Sequence, residues 1–368
     1  MVKRILALAV VMLVVVPNLA LASDLQDQMI NFTLEETVNY ALEHSPEIML
    51  ARIDKEKSSV LDKKADSAAE KILEYFTYDT AYLKYVKPLT TEIAYESSKK
   101  NEILKQNSIR YKVEKAFYDA IKASEEVRVK EDALEYMKEM QDTLKKKKEV
   151  GLAKNTDFTQ AEIDVLEAEL QLKSAINAKV YALEILKNVM GLFLETPLAI
   201  EYSFSNLPPF PEIIDSTLDD ALEKAVQNRF EVFSAKSKLE IARESFELIS
   251  CYLPSNTYDY RIIKSDYDSA LIEFDEAVAG IELEVRYAYR KLDELWKTLA
   301  LRKEALKLAE DNLSIMNKRF EAGLATSYDA VSALRVLNET RLRYIEDYHN
   351  YSISRLRFEN ALSLGPAY

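Results

Sequence analysis

From Val285 onward the chain places an apolar residue at every seventh position: Val285, Leu292, Leu299, Leu306, Leu313 and Phe320. Three places further on, the residues are Ala288, Leu295, Arg302, Ala309 and Met316, with Arg302 the single exception. A period of 3.5 residues sustained this long belongs to helices that supercoil left-handedly, so the segment predicts a long coiled-coil helix that needs a partner along its seam. An earlier stretch has the same design, with Val113, Ala120, Val127 and Leu134 on one set of positions and Ala116, Ala123, Met137 and Leu144 on the other. The two stretches lie 172 residues apart, and the same offset aligns Glu149-Val150-Gly151-Leu152-Ala153 with Glu321-Ala322-Gly323-Leu324-Ala325, and Asp157 with Asp329, without a gap. Between Val113 and Phe158 there are ten identities in 46 positions, weak evidence among helices rich in Ala, Leu and Lys. Five of the ten crowd around one turn, and that clustering marks an internal duplication.

The starts of the copies also correspond. Leu34-Glu35-Glu36, Ala41-Leu42 and Pro46-Glu47-Ile48 match Leu218-Asp219-Asp220, Ala225-Val226 and Phe230-Glu231-Val232 at an offset of 184. One repeat is therefore expected over 34–191 and a second over 218–365. The stretch 192–217 holds four of the nine prolines and reads as an extended connector. In each repeat Thr33 or Thr217 is placed to cap a short helix, and a second helix starts near Pro46 or Phe230. A break is expected at Lys87-Pro88 in the first copy and at Leu253-Pro254-Ser255 in the second, after which the heptad helix runs to Gly151 or Gly323 and returns to Gly191 or Gly365. The chain has five glycines in 368 residues, about a fifth of the roughly 7% that is usual, too few for the turns of a many-stranded fold. The fold class expected is all-α: two long antiparallel coiled-coil hairpins with strands reduced or absent.

Residues 1–22 carry Lys3 and Arg4, twelve apolar residues from Ile5 to Val16, and an Ala20-Leu21-Ala22 site, which is the order of a secretory signal peptide. The net charge of −13 and the absence of clustered bases, apart from Lys145 to Lys148 at a helix end, argue against a nucleic-acid partner. Cys251 is the lone cysteine, so no internal disulfide is possible. His44 and His349 stand outside any metal-ligand spacing, and no nucleophile elbow or phosphate-binding glycine loop occurs. No catalytic residue, cofactor or metal is expected, and the chain does not read as an enzyme.

The duplicated halves, the leader, the opening Leu34 to Ile48, and the paired tips Val150-Gly151-Leu152 with Asp157 and Gly323-Leu324 with Asp329 resemble the TolC-type outer-membrane efflux protein family. The resemblance covers nearly all of the chain after the leader. It implies the protomer of a homotrimeric α-helical barrel, a passive duct in which acidic inner faces attract cations. Energy would come from an inner-membrane pump, reached through a periplasmic adaptor (membrane fusion) protein docked at the tips Val150, Gly151, Leu152, Gly323 and Leu324. Asp157 and Asp329 would match acidic residues at the family's pore constriction, although Gln160 and Ser332 stand where some members have a second aspartate.

The family's protomer also gives four strands to a membrane β-barrel. A spanning strand takes about 9 to 11 residues, and between the helices of the second copy only Tyr252 to Tyr260 is available. Tyr75, Phe76, Tyr78, Tyr82 and Tyr85 of the first copy follow helical rather than alternating spacing. Both hairpins are therefore read as deleted or reduced to loops. Tyr75–Tyr85 and Tyr252–Tyr260 fall at the same end of the two copies, where they form either a collar that contacts a membrane or another protein, or packing at the base of the helices. The location expected is the cell envelope, outer membrane or periplasm. The alternative function is an exported coiled-coil scaffold or adaptor protein of the envelope without a pore.

Overall fold

The computed structural model describes residues 30–151, 153–202 and 217–365. The expected leader, Leu152 and the middle of the connector lie outside them. In chain order the elements are β1 (Ile30–Phe32), α1 (Leu34–His44), α2 (Pro46–Glu70), α3 (Tyr78–Glu149), α4 (Asn155–Met190), β2 (Leu198–Ile200), α5 (Leu218–Asn228), α6 (Phe230–Tyr252), α7 (Tyr258–Glu321) and α8 (Ser327–Ala361). The duplication is geometric as well as sequential. Helices α3 and α7 end, and α4 and α8 begin, at the offset of 172, while α1 and α5, like α2 and α6, begin at the offset of 184. Strands are reduced, among the described residues, to one parallel pair that sets Ile30 beside Leu198 and Phe32 beside Ile200. No helix among them is long and apolar enough to cross a membrane.

One expected break is corrected. Helix α3 begins at Tyr78 and runs through Pro88, so the first copy breaks at 71–77 and not at Lys87-Pro88. A proline inside a helix loses one backbone hydrogen bond and strains its turn, at about 3 kcal/mol. Packing offsets this: Ala81 and Val86, on the turns just before Pro88, are fully buried. The Thr90 and Thr91 hydroxyls donate to the carbonyls of Val86 and Pro88 at 2.8 and 2.9 Å and so use acceptors around the lesion. The second break stands where expected, with 253–257 between α6 and α7.

The chain divides into two compact units, each assembled from three segments. Among the described residues, the first unit takes 30–44, 112–202 except 152, and 302–349. Its core includes the expected seam of α3, with Val113, Ala116, Ala120, Ala123 and Val127 all buried. Arg302, the exception in the α7 heptads, extends its guanidinium to Asp347 of α8, with Nε 2.8 Å from the carboxylate. The equivalent position in α3 is Lys130, whose ammonium donates to Gln171 of α4 at 2.9 Å. Both copies thus interrupt their apolar seam at the same place with a base held by the returning helix. Two further carboxylates are held by partners, Glu125 buried and Asp119 half-buried. Asp119 accepts from His349 Nε2 and from Lys115. Burial pushes its carboxyl up, but the hydrogen bonds from His349 and Lys115 outweigh burial and hold it below the usual aspartate range. Glu125 accepts from Arg128 and from the Tyr202 hydroxyl, which burial and the adjacent charge push up to about 12.

Among the described residues, the second unit takes 45–111, 217–301 and 350–365. Val285, Leu292 and Leu299 of the predicted seam are buried here, and aromatic pairs fill the space beside them. The Tyr289 and Phe358 rings meet edge to face at 5.9 Å, and Trp296 lies 5.4 Å from Tyr351. Arg229, in the one-residue junction between α5 and α6, is only 2% exposed and makes paired hydrogen bonds to both Glu231 and Glu284 at 2.9 to 3.1 Å. The end of α8 closes over it. Phe230 N–H donates to Leu364 C=O, Asn228 donates to Leu362 C=O, and Gly365 passes so near that an added Cβ would lie 3.2 Å from the guanidinium. A side chain at residue 365 would need this ion pair to give way by a few tenths of an ångström and would be strained by the φ of +122°.

Candidate functional site at the helix tips

The paired tips both lie in the first unit, and the reason for each repeated residue can be read from its geometry. Gly151 and Gly323 adopt φ of +75° and +72°, the left-handed conformation in which a Cβ is strained, and neither has any atom within 4 Å of where a Cβ would stand. Backbone hand, not crowding, is what requires glycine. The turn after α7 is closed by Gly323 N–H to Phe320 C=O at 3.1 Å and Leu324 N–H to Arg319 C=O at 2.8 Å, the two bonds of a Schellman ending. Gly151 N–H donates to Lys148 C=O at 3.0 Å in the first copy. Ala153 and Ala325 pack against a common apolar cluster. That cluster draws Met140, Leu144 and Ala161 from one copy and Phe320, Ala330 and Val331 from the other, so the two tips are built as one body.

The basic run expected at the end of α3 is partly enlisted in this body. The Lys147 ammonium sits 3.8 Å from the Phe320 ring centre, and that of Lys148 sits 4.6 Å from Phe158. Nearby, the Tyr136 hydroxyl donates to Asn317 at 2.6 Å and ties α3 to α7. Every repeated tip residue described so far has a folding role. The Leu324 side chain does not, being 72% exposed, and Val150 is 68% exposed at the other tip.

Asp157 and Asp329 are placed alike in sequence but not in environment. Asp329 is the third residue of α8 and completes a capping box. Its carboxylate accepts from the Thr326 amide at 2.8 Å and hydroxyl at 2.7 Å, while its own amide donates to that hydroxyl at 3.2 Å. Hydrogen bonds from Thr326 hold the Asp329 carboxyl below the usual range, so the charge it brings to the α8 terminus persists through that range and is lost only on stronger acidification. In the first copy the capping position is Lys154, which has no side-chain acceptor, and only the longer bond from its amide to Asp157, at 3.4 Å, remains. Asp157 instead lines a groove of about 360 Å³ between α4 and α8. Gln160 and Asp164 continue its wall and Tyr328 and Arg335 face them, over a floor that includes Met140 and Leu144. The groove extends past Asp164 and Arg335 into a second hollow of about 280 Å³ toward Lys130 and Gln171. Asp164 and Arg335 escaped the sequence reading, although Asp164 stands seven residues after Asp157 on the same helical face. Arg335 had no such signal, because it reaches the groove from the other copy.

No protein-family model matches this sequence, and no curated protein matches it either. The backbone, in contrast, superposes on solved outer-membrane channels. It matches the outer membrane protein VceC of Vibrio cholerae with a TM-score of 0.73 at 14% identity, over 90% of this chain and 96% of that one. The CmeC outer membrane channel of Campylobacter jejuni gives 0.73 at 14%, over 90% and 86%. The open state of the MtrE outer membrane channel of Neisseria gonorrhoeae gives 0.67 at 14%, over 90% and 89%. Taken with the duplicated helices and the matched tip turns, these likenesses show that the chain has the fold of the TolC-type outer-membrane channels.

Proposed function

We propose that the chain is the protomer of a passive envelope conduit of TolC type, closed as a homotrimer, with a periplasmic adaptor docked at its tips and an inner-membrane pump supplying the energy. The observation that carries this reading is an unpartnered apolar stripe on a chain with a channel fold. Ile163, Leu166 and Leu170 of α4 are exposed at spacings of three and four, on residues other than those lining the groove, and Leu308 and Ile315 of α7 are exposed at heptad spacing. Stripes of this kind mark helix faces made for other helices. Further copies of the chain supply them in a closed ring, where the polar groove face is left to water. Native mass spectrometry is expected to give trimers, and electron microscopy an axial hole. Stable monomers or solid rods would transfer the chain to the alternative, an envelope scaffold or adaptor without a pore.

Docking at Val150, Gly151, Leu152, Gly323 and Leu324 is supported by the exposed side chains of Leu324 and Val150 and by the recurrence of Leu324 in the sequence as Leu152. Asp157 and Asp329 are proposed to ring the same end of the duct. Replacing Gly151 and Gly323 together by leucine adds side chains into open space, at the strain of a left-handed backbone, about 1–2 kcal/mol per site. The double variant is expected to keep its helical circular dichroism and to lose adaptor-dependent export, and unchanged export would remove the tips from the docking surface. Tyr75–Tyr85 and Tyr252–Tyr260 are proposed to face a membrane. Loops of seven and five residues, 71–77 and 253–257, stand there in place of hairpins.

A further inference from the structure

Residues 71–77 are a short loop, yet they are fixed in place. The Lys84 ammonium donates to Ile72 C=O at 2.6 Å and lies 4.9 Å from the Tyr75 ring centre. The Tyr252 hydroxyl, from the other copy, donates to Tyr75 C=O at 3.0 Å, and the Tyr75 ring packs edge to face on Tyr85 at 5.3 Å. Between and beside these anchored carbonyls stand Leu73, 85% exposed, and Phe76, 83% exposed. In water such carbonyls need no protein donor, because solvent serves them. A loop that enters the interfacial layer gains when its acceptors are satisfied from within and apolar side chains are presented outward, while Glu74, exposed between Leu73 and Phe76, keeps its carboxylate at the hydrated headgroup level.

Composition at this end points the same way. Segments 70–87 and 251–267 together hold eight of the 22 tyrosines of the chain. Each segment carries equal numbers of acidic and basic residues, although the whole chain has a charge of −13. Tyrosines and a charge-neutral surface suit the headgroup boundary of a bilayer, where a ring is half in hydrocarbon and half in water. A protein partner fits less well: Leu73 and Phe76 form a protruding pair, while a stable protein interface needs about 800 Å² on each side.

We infer that the loop 71–77 is a membrane-surface anchor, which lays Leu73 and Phe76 into the interfacial layer of a lipid bilayer while Lys84 and Tyr252 hold its backbone. The inference rests on the membrane-facing reading of the aromatic end and does not require the chain to form a duct. The test uses the processed chain from an exporting host, with neutral phosphatidylcholine vesicles and a second set containing anionic lipid. The protein is expected to float with both sets. An environment-sensitive dye on the sole cysteine, Cys251, which is exposed at this end, should shift to the blue on binding. The Leu73→Ser/Phe76→Ser variant is expected to keep its helicity and to lose vesicle binding by about tenfold or more, as shallow hydrophobic anchors do. If the variant floats like the parent, the aromatic end still meets lipid and the loop assignment is overturned. If the parent floats with neither set, the membrane-facing reading falls as well. Flotation with anionic vesicles alone would reveal electrostatic adsorption and overturn the anchor, as would an end-to-end dimer that the same two substitutions dissolve.

Discussion

Arg229→Ala is expected to lower the unfolding free energy by about 3 kcal/mol, the lower edge of the range for breaking a buried ion pair. The lower edge applies because the arginine is buried while Glu231 and Glu284 are partly exposed, so the stranded carboxylates regain some hydration. Four charge-assisted hydrogen bonds disappear, a void opens beneath Gly365, and the end of α8 loses the group it closes over. Urea unfolding followed at 222 nm should show a lower midpoint with unchanged slope. Glu284→Gln in the same background should then have little further effect, because its partner has already gone. Additive losses from the two substitutions would mean that the pair is not a unit.

The second large effect concerns assembly. Ile163→Glu/Leu166→Glu/Leu170→Glu changes three exposed residues, and exposed substitutions on an intact helix move stability by only about 0.5 kcal/mol each. If α4 packs against another copy, however, each replaced side chain forfeits about 1.5–3 kcal/mol of burial, so a protomer loses roughly 5–9 kcal/mol of association energy. Native mass spectrometry should therefore find monomers of normal helicity in place of the trimers proposed for the parent chain. Trimers that survive all three charges would place the contact elsewhere and turn this face of α4 toward water.

Much of this architecture is written in local signals. The 3.5-residue period located α3 and α7, Thr33 and Thr217 cap α1 and α5 with Glu36 and Asp220, and the glycine pair located both tips. Pro88 misled because the local rule for proline is strong, and only the burial of Ala81 and Val86 explains why the helix continues. Arg229 was unreadable for another reason. It occupies a one-residue junction with no periodicity, and its partner Glu284 lies 55 residues away. The groove was half legible. Asp157 belongs to a repeated motif, but Arg335, which faces it, is brought there only by the packing of the two copies. The same packing gives Asp157 and Asp329 different tasks, since Thr326 is a hydroxyl acceptor and Lys154 is not.

Lys130 and Arg302, the matched bases in the two seams, have a consequence for alignment. Apolar seams built on identical heptads slide easily, since a shift of one heptad, about 10.5 Å, restores nearly the same contacts. Such a shift would carry Lys130 away from Gln171 and Arg302 away from Asp347, leaving both bases without the acceptors that hold them. Each base therefore acts as an index mark, admitting one longitudinal position of the returning helix and penalising its neighbours. In a chain made twice from one pattern, these two residues keep each hairpin from settling one notch out of place.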